Sequence, residues 1–131
     1  MAVIQQKVHG DHRGKLVVIE GEENVPFDIQ RVFYIYGTQE GVPRGNHSHY
    51  KTKQYLLAVN GSCKVTLDDG KSTEIFLLDS PENGLFQDAL IWGTMHDFSS
   101  DCVLLVLADQ YYDHSDYITD YQEFLKVISN A

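Results

Sequence analysis

His47 and His49 stand one residue apart in GVPRGNHSHYKTKQYLLAVNG (41–61), with Arg44 just before them and Gln54 just after. On an extended strand, residues two apart point to one side, so both imidazoles should project together. Such a pair can hold a metal ion, move protons without one, or simply fill space in a half-buried strand. A metal usually takes three protein ligands, and hard or borderline dications favour a carboxylate among them. Gln54 is neutral, which makes it a poor third ligand. Proton transfer has no such requirement, because histidine titrates near pH 6.5, about where an enzyme works. Arg44 adds a permanent cation with forked donors, suited to a phosphate or to an oxygen that gains charge.

These side chains must be carried by strands. Short β-branched and aromatic runs recur: KLVVIE (15–20), IQRVFYIYG (29–37), QYLLAVN (54–60), SCKVTL (62–67), STEIFLL (72–78), LFQDALIW (85–92) and DCVLLVLAD (101–109). They are too short for typical helices and spaced as in a sandwich or barrel. Asn60-Gly61 reads as a tight hairpin, and Asp68-Asp69-Gly70-Lys71 as a second hairpin turn with no metal-binding pattern. At the end, HSDYITDYQEFLKVISNA (114–131) changes to a helical period through Tyr117, Ile118, Tyr121, Phe124, Leu125 and Ile128. Asp113 or Ser115 would cap that helix, with Asp116 near its positive end. The expected architecture is all-β, one domain over 1–131, with a C-terminal α-helix.

Charge narrows the partners. The chain of 131 residues carries 10 Lys plus Arg against 19 Asp plus Glu, a net charge of −9. A polymeric nucleic acid needs a basic face that this balance does not provide. No apolar run approaches a membrane span and the start lacks a signal-peptide pattern, so a cytoplasmic protein is expected. Cys63 and Cys102 sit in apolar runs and read as buried thiols. His9, His12 and His114 have no companions in a recognisable pattern and read as surface residues.

The spacing Gly41, five residues, His47-Ser48-His49, four residues, Gln54, six residues, Gly61 resembles the first motif of the cupin small jelly-roll β-barrel, with Gln where that motif has Glu. The region of the second motif holds Pro81 and Gly84 but no histidine close behind them. Six segments in order, RGKLVVIE (13–20), IQRVFYIYG (29–37), PRGNHSH (43–49), NGSCKVTLDDG (60–70), MHDFSSDCVLLVLA (95–108) and YYDHSDYITDYQEF (111–124), resemble the cupin-type nucleotide-sugar 3,4-ketoisomerases. That family acts on dTDP-4-keto-6-deoxy-D-glucose.

The resemblance implies a metal-independent isomerase without cofactor that moves a carbonyl from C4 to C3 of a hexose through an enediol(ate). His49 would be the base at C3 and His47 its partner in moving protons. Tyr34 would donate to a sugar oxygen. Arg44 would bind the diphosphate or the enediolate, and Gln54 would line the pocket. Arg13 and His96 look like the pair found in galacto-product members, implying dTDP-3-keto-6-deoxy-D-galactose on the way to a 3-amino sugar. Tyr50 and Gly93 depart from the family's usual residues. A homodimer is implied. Alternatives are a dTDP-sugar 3,5-epimerase, a non-catalytic sugar-binding cupin, or a metal-dependent dioxygenase, which Gln54 and the missing second-motif histidine oppose.

Overall fold

The computed structural model describes residues 3–130. Twelve strands are present: β1 (Val3–Gln5), β2 (Val8–Asp11), β3 (Gly14–Val17), β4 (Arg31–Ile35), β5 (Arg44–His49), β6 (Gln54–Asn60), β7 (Cys63–Asp68), β8 (Thr73–Leu78), β9 (Asn83–Gln87), β10 (Trp92–His96), β11 (Val103–Ala108) and β12 (Tyr117–Ile118), followed by helix α1 (Tyr121–Ser129). Two sheets form the body. Sheet I has the order β1-β9-β6-β11-β4 and sheet II the order β12-β5-β10-β7-β8, while β2 and β3 make a separate hairpin. This is the expected small jelly-roll β-barrel with a C-terminal helix.

Alternation along each strand decides what lies inside. In β6, Leu56 and Ala58 point between the sheets, where they meet Val65 and Leu67 of β7, Leu85 of β9, and Leu104 and Val106 of β11. Their neighbours Tyr55 and Leu57 point the other way, into a second cluster with Val25, Phe27 and Leu107. Sheet I is therefore covered on both faces, which is why QYLLAVN reads as a continuous apolar run. Cys63 and Cys102 are buried free thiols of the inner cluster, and burial pushes the Cys63 thiol up to about 12.

Three local expectations change. LFQDALIW is not one strand: β9 ends at Gln87, the chain turns through Leu90 with φ 60°, and β10 begins in the other sheet at Trp92. Asn60-Gly61 closes no hairpin, because it passes the chain from β6 in sheet I to β7 in sheet II. The other expected turn, Asp68-Asp69-Gly70-Lys71, does close a hairpin, β7–β8, where the Asp69 carboxylate accepts from the Lys71 and Ser72 amides. Finally, the helix starts later than the period suggests. Asp113 caps only a 3-10 turn at His114–Asp116, and Asp120 caps α1 by accepting from the Gln122 amide at 2.9 Å. Between them Tyr117 and Ile118 are strand, paired with His49 and Ser48. Helix α1 is held to sheet II by the fully buried Phe124, whose ring lies 5.6 Å from that of Trp92.

Candidate active site

Strand β5 carries the histidines inward. Its first half is kinked: Gly45 (φ 88°) and Asn46 (φ 57°) are left-handed, and the register with β10 slips between Gly93 and Thr94. Such a bulge adds one residue and reverses the alternation. Arg44 and His47, three apart, therefore both line one cavity. A side chain at Gly45 would be strained by that φ and would come within 3.0 Å of the Gly93 carbonyl oxygen.

The His47 and His49 rings meet edge to face at 4.8 Å. Tyr117 closes the cluster, 5.0 Å from His47 and 4.5 Å from His49. Its position depends on the buried Asp116, whose carboxylate accepts from the Lys51 amide, the Thr52 amide and the Thr52 hydroxyl. The Asp116 carbonyl also accepts from the Tyr50 amide at 2.9 Å. Asp116 thus fastens the loop after the histidines to the segment that presents Tyr117.

The opposite wall is set by register. Gln87 of β9 pairs with Gln54 of β6, Gln54 with Ala108 of β11, and Ala108 with Arg31 of β4. These residues form one row on the inner face of sheet I, carrying three polar side chains. The next inward row is Leu85–Leu56–Val106–Phe33. A cavity of about 310 Å³ lies between the sheets here, lined by Gln54, Phe33, Tyr34, Arg44, His47 and Tyr117 among others.

Burial dominates the electrostatics of the pair. His49 is 2% exposed and its pKa is pushed down to about 4, first by burial and next by the charge of His47. Asp116 pulls in the opposite direction, and Arg31 adds a smaller downward push. Burial also lowers His47, opposed by a hydrogen bond to the Gly45 backbone. His49 Nε2 is buried without a hydrogen-bond partner. A neutral imidazole with a free buried nitrogen can accept a proton from a group placed in the cavity.

A family model described as FdtA: WxcM-like, C-terminal matches residues 1–129. The chain belongs to this family. A TDP-4-oxo-6-deoxy-alpha-D-glucose-3,4-oxoisomerase from Aneurinibacillus thermoaerophilus is 51% identical over 127 residues, covering 97% of this chain and 91% of the relative. Two solved structures from Campylobacter jejuni are similar to the chain. WlaRA, a TDP-fucose-3,4-ketoisomerase, superposes with a TM-score of 0.94 at 37% identity over 98% of this chain and 96% of its own. WlaRB, a TDP-quinovose 3,4-ketoisomerase, gives 0.92 at 40% identity over 95% and 96%.

Against the family expectation, His47, Arg44, Gln54 and Tyr34 all line the cavity, and His49 packs directly behind His47. Tyr34 stands at the mouth, 62% exposed, with its ring 6.0 Å from that of Tyr36. The other two residues are placed elsewhere. On β10, Met95 faces inward, so His96 faces outward; its ring is held by Thr66 Oγ1 at 2.6 Å and by Asp97 at 2.7 Å. His96 cannot flank a sugar in this cavity. Gly93 is the inward position of β10 in register with His47, and a Cβ there would come within 2.7 Å of Gln87 Nε2. Arg13 lies at the exposed β2–β3 turn, bound to Asp11 at 2.7 Å and apart from the cavity of its own chain.

Sequence reasoning missed Arg31, Tyr117, Asp116 and Gln87. For Tyr117 a signal existed, since two aromatic residues and a capping aspartate preceded the helix proper. For the row of Arg31 and Gln87 there was none without the strand register. Among the described residues, no three of His, Cys, Asp and Glu cluster as a metal would need.

Proposed function

We propose that the protein is an isomerase converting dTDP-4-keto-6-deoxy-D-glucose into a dTDP-3-keto-6-deoxy-D-hexose. The observation that carries this is the neutral, buried His49 with a free Nε2, packed behind the His47 that lines a cavity with Arg44, Gln54 and Tyr117, in a chain of the FdtA family. His49 takes the proton from C3, which the adjacent ketone makes acidic. His47 moves the proton between the two oxygens, and a proton returns at C4. Tyr34 donates to a sugar oxygen at the mouth. Arg44 binds the diphosphate with its forked donors. The residues themselves provide the acid, the base and the charge stabilisation, with no redox step.

The working unit we propose is a homodimer. Val32 and Tyr36 are exposed on and just after β4, as are Leu16 of β3 and Val18 just after it. Exposed apolar side chains of this number on a small barrel are suited to cover by a partner. A role for Arg13 at the sugar then requires the site of the second copy. Arg13 alone now carries the galacto reading, since His96 is turned away and both fucose and quinovose enzymes are similar to the chain.

Incubating the purified protein with the 4-keto substrate and following it by proton NMR tests the reading. A 3-keto product is expected, and the H4 coupling constants give its configuration, small for galacto. Unchanged substrate that nevertheless binds would replace the isomerase with a sugar-binding cupin. A gluco product would remove the role of Arg13.

A further inference from the structure

Arg31 opens β4 and ends the polar row of sheet I, facing the side of the barrel that holds the histidines. No carboxylate pairs with it among the described residues. Its Nε is buried and has no hydrogen-bond partner. Two aromatic rings surround it instead: its guanidinium carbon lies 5.5 Å from the centre of the Phe33 ring and 5.8 Å from that of Tyr112. Tyr112 in turn touches Tyr117, which touches His49.

A guanidinium packed by aromatic rings offers its donors at its edge. Arg31 is half-buried, and an unpartnered buried nitrogen such as its Nε is unfavourable, so each one calls for a reason, a catalytic role among them. Two buried nitrogens at this end of the barrel await partners: Arg31 Nε, a donor, and His49 Nε2. A donor cation and a proton acceptor on facing walls match the two demands of enolisation. One group must take a proton from carbon while another receives the charge that appears on oxygen.

Resting on the isomerase reading, we propose that Arg31 is a further catalytic residue whose guanidinium donates to the enediolate oxygen. His49 removes the C3 proton. The C3–H electron pair becomes the C3=C4 bond, and the carbonyl π pair moves onto O4. A proton passes from O3 to O4, C3=O forms, and the C3=C4 pair takes a proton at C4 from His49 after that proton has exchanged with solvent. Arg31 stays protonated throughout and is neither consumed nor regenerated.

The test compares Arg31→Gln and Arg31→Lys with wild type. The readouts are turnover by NMR, TDP binding by calorimetry, and the pH dependence of kcat/KM. Arg31→Gln should lower kcat about 10²- to 10³-fold while changing the TDP Kd less than about threefold. Arg31→Lys should recover part of the rate, since it restores the charge without the fork. The charged and titratable groups around His49 are His47 on its own strand, Asp116 at the end of the 3-10 turn, Tyr117 on β12, and Arg31 on β4. Loss of the Arg31 charge should therefore shift the acid limb of the profile toward higher pH. If the Gln variant fails to fold, Arg31→Lys decides alone, by a kcat loss at unchanged TDP affinity. A kcat within about threefold of wild type, or a loss confined to TDP binding, overturns the proposal. Wild type that does not turn over at all overturns the function reading itself, which is a different outcome from a variant that turns over normally.

Discussion

Two layers of the same barrel interior differ by a single step along the strands. Moving along β9, β6, β11 and β4, one inward row reads Leu85, Leu56, Val106 and Phe33, and the next reads Gln87, Gln54, Ala108 and Arg31. The first row is closed by Val65, Leu67 and Leu104 and excludes water. The second supplies Gln54 to the cavity that His47 and Tyr117 line, where it meets the Phe33 and Val106 edge of the first row, and His49 packs behind His47. The apolar layer holds the sheets together, and the polar layer spends that rigidity on keeping unpaired nitrogens in place. Stability and chemistry are thus stacked in adjacent layers, and a substitution should act mainly on the one it touches.

The largest expected effect lies in the polar layer. His49→Asn removes the base, so kcat should fall by about 10³- to 10⁴-fold with TDP affinity largely kept; steady-state kinetics beside calorimetry separates the two. One row away the pattern should invert. Leu56→Ala leaves a cavity beneath the site and should destabilise the fold by about 2–5 kcal/mol in chemical denaturation, with the folded protein still turning over. Loss of TDP-sugar turnover with an unchanged midpoint would erase the distinction between the layers.

Acid should sharpen the same contrast. His49 has its pKa depressed to about 4 in the fold, against about 6.5 in the unfolded chain. The unfolded state therefore binds the proton first. Stability from this group is complete above about pH 6.5 and declines as pH falls toward 4, by an amount on the order of 3 kcal/mol. Denaturation midpoints measured across that range should show the slope in wild type and lose most of it in His49→Asn. The smallest effect is expected at the edge between layers. Gln54→Leu extends the apolar row by one position, changing stability by less than about 1 kcal/mol and weakening substrate use by roughly three- to tenfold, the value of one lost hydrogen bond.

How far these layers can be read from sequence follows from what each depends on. The histidine pair needs only strand alternation, so its shared face was legible, as was Gln54 at its motif distance. The barrel was legible from the density of short apolar runs. The polar row was not, because Gln87, Gln54 and Arg31 lie on three strands brought together by antiparallel register, which no local pattern encodes. His96 was drawn to the site by resemblance alone, and strand alternation, not visible in the sequence, turns it away. Reading 85–92 as one strand hid the turn at Leu90 and the start of β10, and with them the alternation that turns Met95 inward and His96 outward. Tyr117 was hidden inside an apparent helical period, since an aromatic at the right spacing looks the same before a cap as after it. Arg13 lies apart from the cavity of its own chain, which its place in the sequence did not reveal.

Solvent-exchange NMR puts the central claim to its most direct test. In deuterium oxide with dTDP-4-keto-6-deoxyglucose, wild type should yield a 3-keto product carrying deuterium at C4, and His49→Asn should yield none on the same timescale while still binding TDP. Isomerisation by His49→Asn at a rate within about tenfold of wild type would contradict the account, because the proton would then be moving through some other group.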